Sequence, residues 1–209
     1  MSDIAFKAKD FIVVLEENLT TIDGHLEYCK NQLSVSKAKM KETWVYIGHA
    51  LDDDWGMDVS KEGMLIETRL KESVALLKSI WQAKEKSRKL MTETRNQLKE
   101  NENLFQTSDL FVQTLEIMKT ETDKVCREMN LLENLLKKIE RSVNKKYQLA
   151  QKIKNDDEYT DVSMEPAELK KEGEIINAVM KQACDIIKKS QVFIYQAVTA
   201  LREVYKKTQ

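Results

Sequence analysis

The side chains that perform acid–base or metal chemistry are few in this sequence and lie far apart. The two histidines, His25 and His49, are 24 residues apart, and no His-Glu-x-x-His motif places two imidazoles on one helix face for zinc. His25 directly precedes the apolar helix position Leu26, which is typical of an ordinary flanking residue. The five glycines are scattered and form no phosphate-binding loop. We therefore expect no enzyme activity, no metal site and no cofactor.

The three cysteines indicate reduced thiols rather than a disulfide framework. Cys29, Cys126 and Cys184 are odd in number, are distant in sequence and lie within helical patterns. No pair has zinc-ligand spacing. The N-terminus lacks the pattern of a signal peptide, and no run approaches the ~20 apolar residues that span a bilayer. These features predict a protein of the cytoplasm or nucleus that is neither secreted nor transmembrane.

An acidic segment, residues 52–58, contains three consecutive aspartates followed by Trp55, Gly56 and Met57. An EF-hand calcium loop needs its glycine at the sixth position, but here the glycine is fifth, so a calcium site is not expected. Two interpretations of Trp55 and Met57 remain open. They close the end of a helical bundle, or they contact a partner, since Trp is over-represented at interface hot spots.

The composition favours a protein made of long helices. The chain has 209 residues with five Gly and one Pro, whereas average usage would supply ~15 and ~10. A sandwich, barrel or α/β fold needs more turn-forming residues than this. The net charge of −1 argues against a dedicated nucleic-acid binder, because such proteins carry a basic excess.

Apolar residues recur at steps of three and four and predict four helices, at residues 4–51, 60–106, 109–154 and 166–207. Short connections make neighbouring helices antiparallel. The predicted fold is therefore all-α, a single domain over residues 1–209 built as an elongated antiparallel bundle with coiled-coil-type packing. A continuous helix over 60–155 is the alternative to a turn near residue 107.

The four apolar stripes differ in quality. The second is the weakest, because Lys84 occupies one heptad position and Ser73 and Ser87 interrupt the alternate seam. This predicts a helix that covers the others. The last stripe is the widest and includes Ile175, which predicts a central helix.

The third stripe runs without a fault over five heptads and stays narrow. A narrow seam is typical of a pairwise coiled-coil contact. We therefore expect a second chain, or the last helix alone, to contact the seam around Leu115, Met129, Leu136 and Val143.

Basic residues concentrate at one height when the predicted helices are folded antiparallel. We call the principal members the basic belt; they are Lys37, Lys39, Lys41, Lys137, Lys138, Arg141, Lys188 and Lys189. Such a belt fits an anionic partner, either a lipid surface or an acidic protein. A solvated belt whose members point in different directions is the other interpretation.

These features lead to two hypotheses about function. The first is a non-enzymatic helical scaffold or adaptor subunit of a cytoskeletal, trafficking or chromosome-associated assembly, which binds protein partners or itself through helix surfaces. The second is a peripheral membrane module, a crescent-shaped helical dimer that binds anionic lipid through the basic belt. An enzyme built in a bundle core is disfavoured, because the Glu-x-x-His pairs of di-iron bundles are absent from the sequence.

Overall fold

The structure of the chain is a computed structural model, which describes the backbone of residues 3–50, 59–107, 109–155 and 166–207. Its side chains are described over residues 7–43, 64–105, 109–148 and 171–207. The helices are α1 (Asp3–Ala50), α2 (Val59–Glu100), α3 (Asp109–Asn155) and α4 (Pro166–Lys207), with a short 3-10 helix at Glu102–Thr107 between α2 and α3. These residues contain no strand, and the four long helices pack against each other, which confirms the all-α bundle.

The chain breaks between α2 and α3 instead of running through as one helix. The backbone N–H of Asn101 donates to the Gln97 carbonyl at 3.0 Å, and the Asn101 side-chain amide donates to the same oxygen at 2.9 Å. Asp109 then begins α3 with an acidic group in the first turn, where the helix dipole favours negative charge. The helix ends lie within one residue of the predicted ones, except that α2 ends at Glu100.

Phe105 anchors this break. Its ring packs edge-on against Phe11 at 5.9 Å and Phe111 at 6.1 Å between centroids, and the side chain is fully buried. Edge-to-face aromatic pairs at this separation add to the stabilisation from burial. The contacts of Phe105 with Phe11 and Phe111 therefore hold the turn between α2 and α3.

The chain divides into two compact units. Unit 1 comprises residues 1–29, 82–132 and 185–209, and unit 2 comprises residues 30–81 and 133–184. Each unit takes segments from all four helices. Each has its own apolar core, with Leu19 and Leu26 among the fully buried residues of unit 1 and Leu33 and Leu136 among those of unit 2.

The prediction that α2 merely covers the other helices is wrong. Both of its seams are buried, including Lys84 at 1% exposure. The buried hydroxyls of Ser73, Ser87 and Thr94 donate to the carbonyls of Arg69, Ala83 and Leu90, four residues earlier, at 3.0, 3.0 and 2.8 Å. A buried hydroxyl that is hydrogen-bonded in this way avoids most of the desolvation penalty. Polar residues in a helical seam are thus compatible with a core position.

Only part of the wide apolar face of α4 is buried. Ala197, Val198, Ala200 and Leu201 are all buried, so the stripe is broad in this part of the helix. Ile175, which the sequence includes in the same face, is 53% exposed.

Candidate protein-interaction surface

The α3 seam, which is predicted to contact a second chain or the last helix alone, is buried within a single copy of the chain. Leu115, Met129, Leu136 and Val143 are at most 4% exposed in a single copy of the chain. A partner chain could reach them only if the bundle opened. A narrow seam does not by itself require an external partner, because α1 and α2 also bury narrow heptad stripes.

The other predicted contacts are Trp55, Met57 and the basic belt. Trp55 and Met57 lie outside the described residues, so both interpretations of them stay open. The basic belt divides between the units: Lys188 and Lys189 belong to unit 1, and the other six members belong to unit 2. Of those six, Lys39 pairs with Glu72 and Lys137 pairs with Glu133, which neutralises part of the belt. Lys138 and Arg141 are exposed.

Two hydrogen bonds fix how α1 and α4 lie beside each other in unit 1. Arg202 Nε donates to Glu16 Oε1 at 2.7 Å, and Gln191 Nε2 donates to Glu27 Oε2 at 3.0 Å. The residue numbers in each pair add to 218, as antiparallel helices in constant register require. The same register places Gly24 opposite Ile194, one residue from Tyr195.

The solvent side of this helix pair is the candidate surface. We call it the α1–α4 face and define it as the outward side of residues 10–29 and 188–207. Residues 190–201 include no charged side chain in a chain that is 33% charged. Tyr195 is 70% exposed and Val192 is 53% exposed, and Val13, Val14 and Tyr28 on α1 are also exposed. Tyr is enriched at protein interfaces, where charged residues are depleted from the core of the contact.

Gly24 lies on the outward side of α1. A Cβ at this position would meet nothing within 4 Å, so the packing of the chain does not require a glycine there. A glycine inside a helix costs roughly 1 kcal/mol relative to Ala. What the glycine does provide is an open position on α1, which the register places at the level of the exposed Tyr195 on α4 and where another backbone or side chain can approach closely.

A pocket between α2 and α3 in unit 1 is a weaker candidate. Its volume is about 160 Å³, and it is lined by Arg95, Leu98, Lys99, Lys119, Thr122 and Asp123. Arg95 pairs with Asp123, and Lys119 pairs with Glu102 at 2.7 Å. Two of its three cations are thus already neutralised by neighbouring carboxylates, which weakens any attraction for an anion.

The thiols are not activated for nucleophilic chemistry. Burial raises the pKa of the Cys126 thiol, and Arg95, which donates to its Sγ at 3.6 Å, opposes that shift only in part. Burial also raises the pKa of Cys29 to about 12. Only the thiolate is an effective nucleophile, so the raised pKa of Cys29 and of Cys126 disfavours the reactive form of both thiols at neutral pH.

Among the described residues, no three His, Cys, Asp or Glu side chains come together in a way that could hold a metal ion. No described helix is long and apolar enough to cross a membrane. No protein-family model, curated protein or solved structure matches this chain.

Reasoning from the sequence missed the α1–α4 face, although two signals were present. One is the charge-free run over residues 190–201. The other is the segregation of charge, because residues 10–29 contain five acidic side chains and no Lys or Arg. Neither signal reveals by itself that the two segments lie side by side, which depends on the Glu16–Arg202 and Glu27–Gln191 contacts.

Proposed function

We propose that this chain is a non-enzymatic helical scaffold subunit that binds a helical segment of another polypeptide through the α1–α4 face. The observation that carries the proposal is the exposed Tyr195, in a run of α4 that has no charge, at the same level along the helices as the open position at Gly24. A groove between two helices accepts a third helix by packing side chains into its holes.

The cost of removing side chains from water favours binding at this uncharged part of the face. Removing charged side chains from water costs free energy that an interface must recover, whereas uncharged residues such as Val192 and Tyr195 gain free energy on burial. The acidic and basic residues at the ends of the face, such as Asp10 and Lys188, then form a polar rim that orients the partner.

A photo-crosslinking experiment tests the proposal. The full chain, with benzoylphenylalanine in place of Tyr195, is irradiated in cells that express it, and cross-linked residues are identified by mass spectrometry. We expect a defined polypeptide segment to be cross-linked, and we expect Gly24→Leu to abolish the product. The matched control carries the same group at Leu131, which is 51% exposed on α3. Equal yields of the same products from both positions would refute the proposal.

A further inference from the structure

We infer that the occupant of the α1–α4 face is a second copy of this chain, related by a twofold axis that runs parallel to the helices. The inference rests on the proposed function, because it names the partner for the same face. In this arrangement α1 of each copy lies over α4 of the other, and the two helices are antiparallel.

The charges on the two helices select this arrangement. Residues 10–29 of α1 contain five acidic and no basic side chains, whereas residues 188–207 of α4 contain five basic side chains and one acidic. Glu16 and Arg202 pair with each other within one copy, which leaves four acidic side chains on α1 and four basic side chains on α4 to face the second copy. An axis parallel to the helices places α1 over α4, so opposite charges meet. A twofold axis perpendicular to the helices would place α1 over α1 and α4 over α4, and like charges would then repel each other. The α1–α4 face carries negative charge on α1 and positive charge on α4. Two copies of it therefore attract each other only when the twofold axis is parallel to the helices.

The shapes agree with the charges. A twofold axis parallel to the helices leaves the position of every residue along the helix direction unchanged, so equal residue numbers in the two copies lie at the same level. Because Gly24 lies opposite Ile194 in the register of one copy, Tyr195 of each copy arrives beside Gly24 of the other. The space around Gly24 is open, and an aromatic ring can pack there against the helix backbone. Twofold symmetry makes this contact twice.

The area of the face predicts the strength of the dimer. Twenty helical residues are about 30 Å long, and two adjacent helices are about 20 Å wide. The face thus offers on the order of 600 Å² per copy, compared with ~800 Å² in a standard stable complex. We therefore expect a reversible dimer whose population depends on protein concentration.

Light scattering on the purified full chain tests the inference. The wild-type mass should rise from 24.3 kDa towards twice that value as the concentration increases through the micromolar range. Tyr195→Glu and Gly24→Leu should each raise the dissociation constant at least about 10-fold, since both block the same contact. The matched control, Leu131→Glu, changes an apolar residue of α3 in unit 1 that is 51% exposed and should leave the mass curve unchanged.

Gly24→Ala separates dimerisation from folding. Alanine favours the helix and meets no neighbour within one copy, so the unfolding midpoint of the dilute monomer should rise while the dimer weakens. A wild type that stays at one copy up to hundreds of micromolar would overturn the inference, as would a dimer insensitive to both Tyr195→Glu and Gly24→Leu. If cross-linking from position 195 finds a different polypeptide while the purified chain stays monomeric, the proposed function stands and the second copy is refuted.

Discussion

Lys146 Nζ on α3 lies 2.5 Å from Glu172 Oε2 on α4, within unit 2. The lysine occupies the seam position three residues after Val143, and its side chain is 2% exposed, compared with 29% for Glu172. A cation therefore replaces an apolar residue in the core, and its attraction to Glu172 offsets part of the cost of removing it from water.

The first prediction follows from this ion pair. Glu172→Gln should lower the free energy of unfolding by about 1–3 kcal/mol, because it removes a negative charge that faces the buried ammonium of Lys146. Adding Lys146→Met should restore stability to the wild-type value or above it. Urea denaturation measures both effects. Lys145→Met is the control, since Lys145 is exposed and 3.9 Å from Glu172, and its effect should stay below ~0.5 kcal/mol.

The second prediction concerns pH. The pKa of the buried Cys29 thiol is raised from 9.0 to about 12, so the folded state favours the neutral thiol. Its stabilisation is complete below pH 9 and is lost as pH rises towards 12, because the unfolded chain ionises first. Relative to Cys29→Ala, the wild type should lose ~1.4 kcal/mol per pH unit in this range. Urea denaturation of both proteins between pH 8 and pH 10.5 measures the difference, and parallel pH curves would contradict the burial of Cys29.

The third prediction separates core residues from interface residues. Met91, Leu136 and Ile187 are each fully buried, so truncation of any of them to Ala should cost about 2–5 kcal/mol. The solution mass of the folded Leu136→Ala protein should match that of the wild type at the same concentration. A lower mass with unchanged stability would show that the α3 seam contacts another chain.

The membrane-surface hypothesis makes its own prediction through the basic belt. Lys138 and Arg141 are exposed in unit 2, so Lys138→Glu with Arg141→Glu should abolish binding to vesicles that contain phosphatidylserine, as measured by flotation. Binding of the wild type should weaken with added salt, because the Debye length falls from ~10 Å at 0.1 M to ~3 Å at 1 M. Salt-insensitive binding, or no binding at low salt, would count against the belt as a lipid surface.

Much of the fold follows from sequence patterns that are local. Heptad spacing locates the helices, and Pro166 in a first turn and Asp109 after the break mark two of the helix starts. Whether an individual polar residue in a seam is buried or exposed does not follow from these local patterns. Lys84 and Lys146 are long enough to reach water from a helix surface, and only the packed neighbours show that both are buried.

The candidate surface was predicted less well than the fold, for a physical reason. A heptad stripe has the same pattern whether it packs inside one chain or against another, so the seam around Leu136 resembles an interface in sequence. The exposed face around Tyr195 has no such repeat. It becomes visible only when the Glu16–Arg202 contact sets α1 and α4 side by side.

The most direct test of the central claim is a cross-link between two isotopically distinct copies. Unlabelled chain with benzoylphenylalanine at position 195 is mixed with ¹⁵N-labelled wild type and irradiated, and tryptic peptides are analysed by mass spectrometry. Because residues 10–29 contain no Lys or Arg, Gly24 lies in the single peptide 10–30. The account predicts that the unlabelled 190–202 peptide is joined to the labelled 10–30 peptide. Cross-links confined to the unlabelled chain, or joining 190–202 to labelled 190–202, would contradict it.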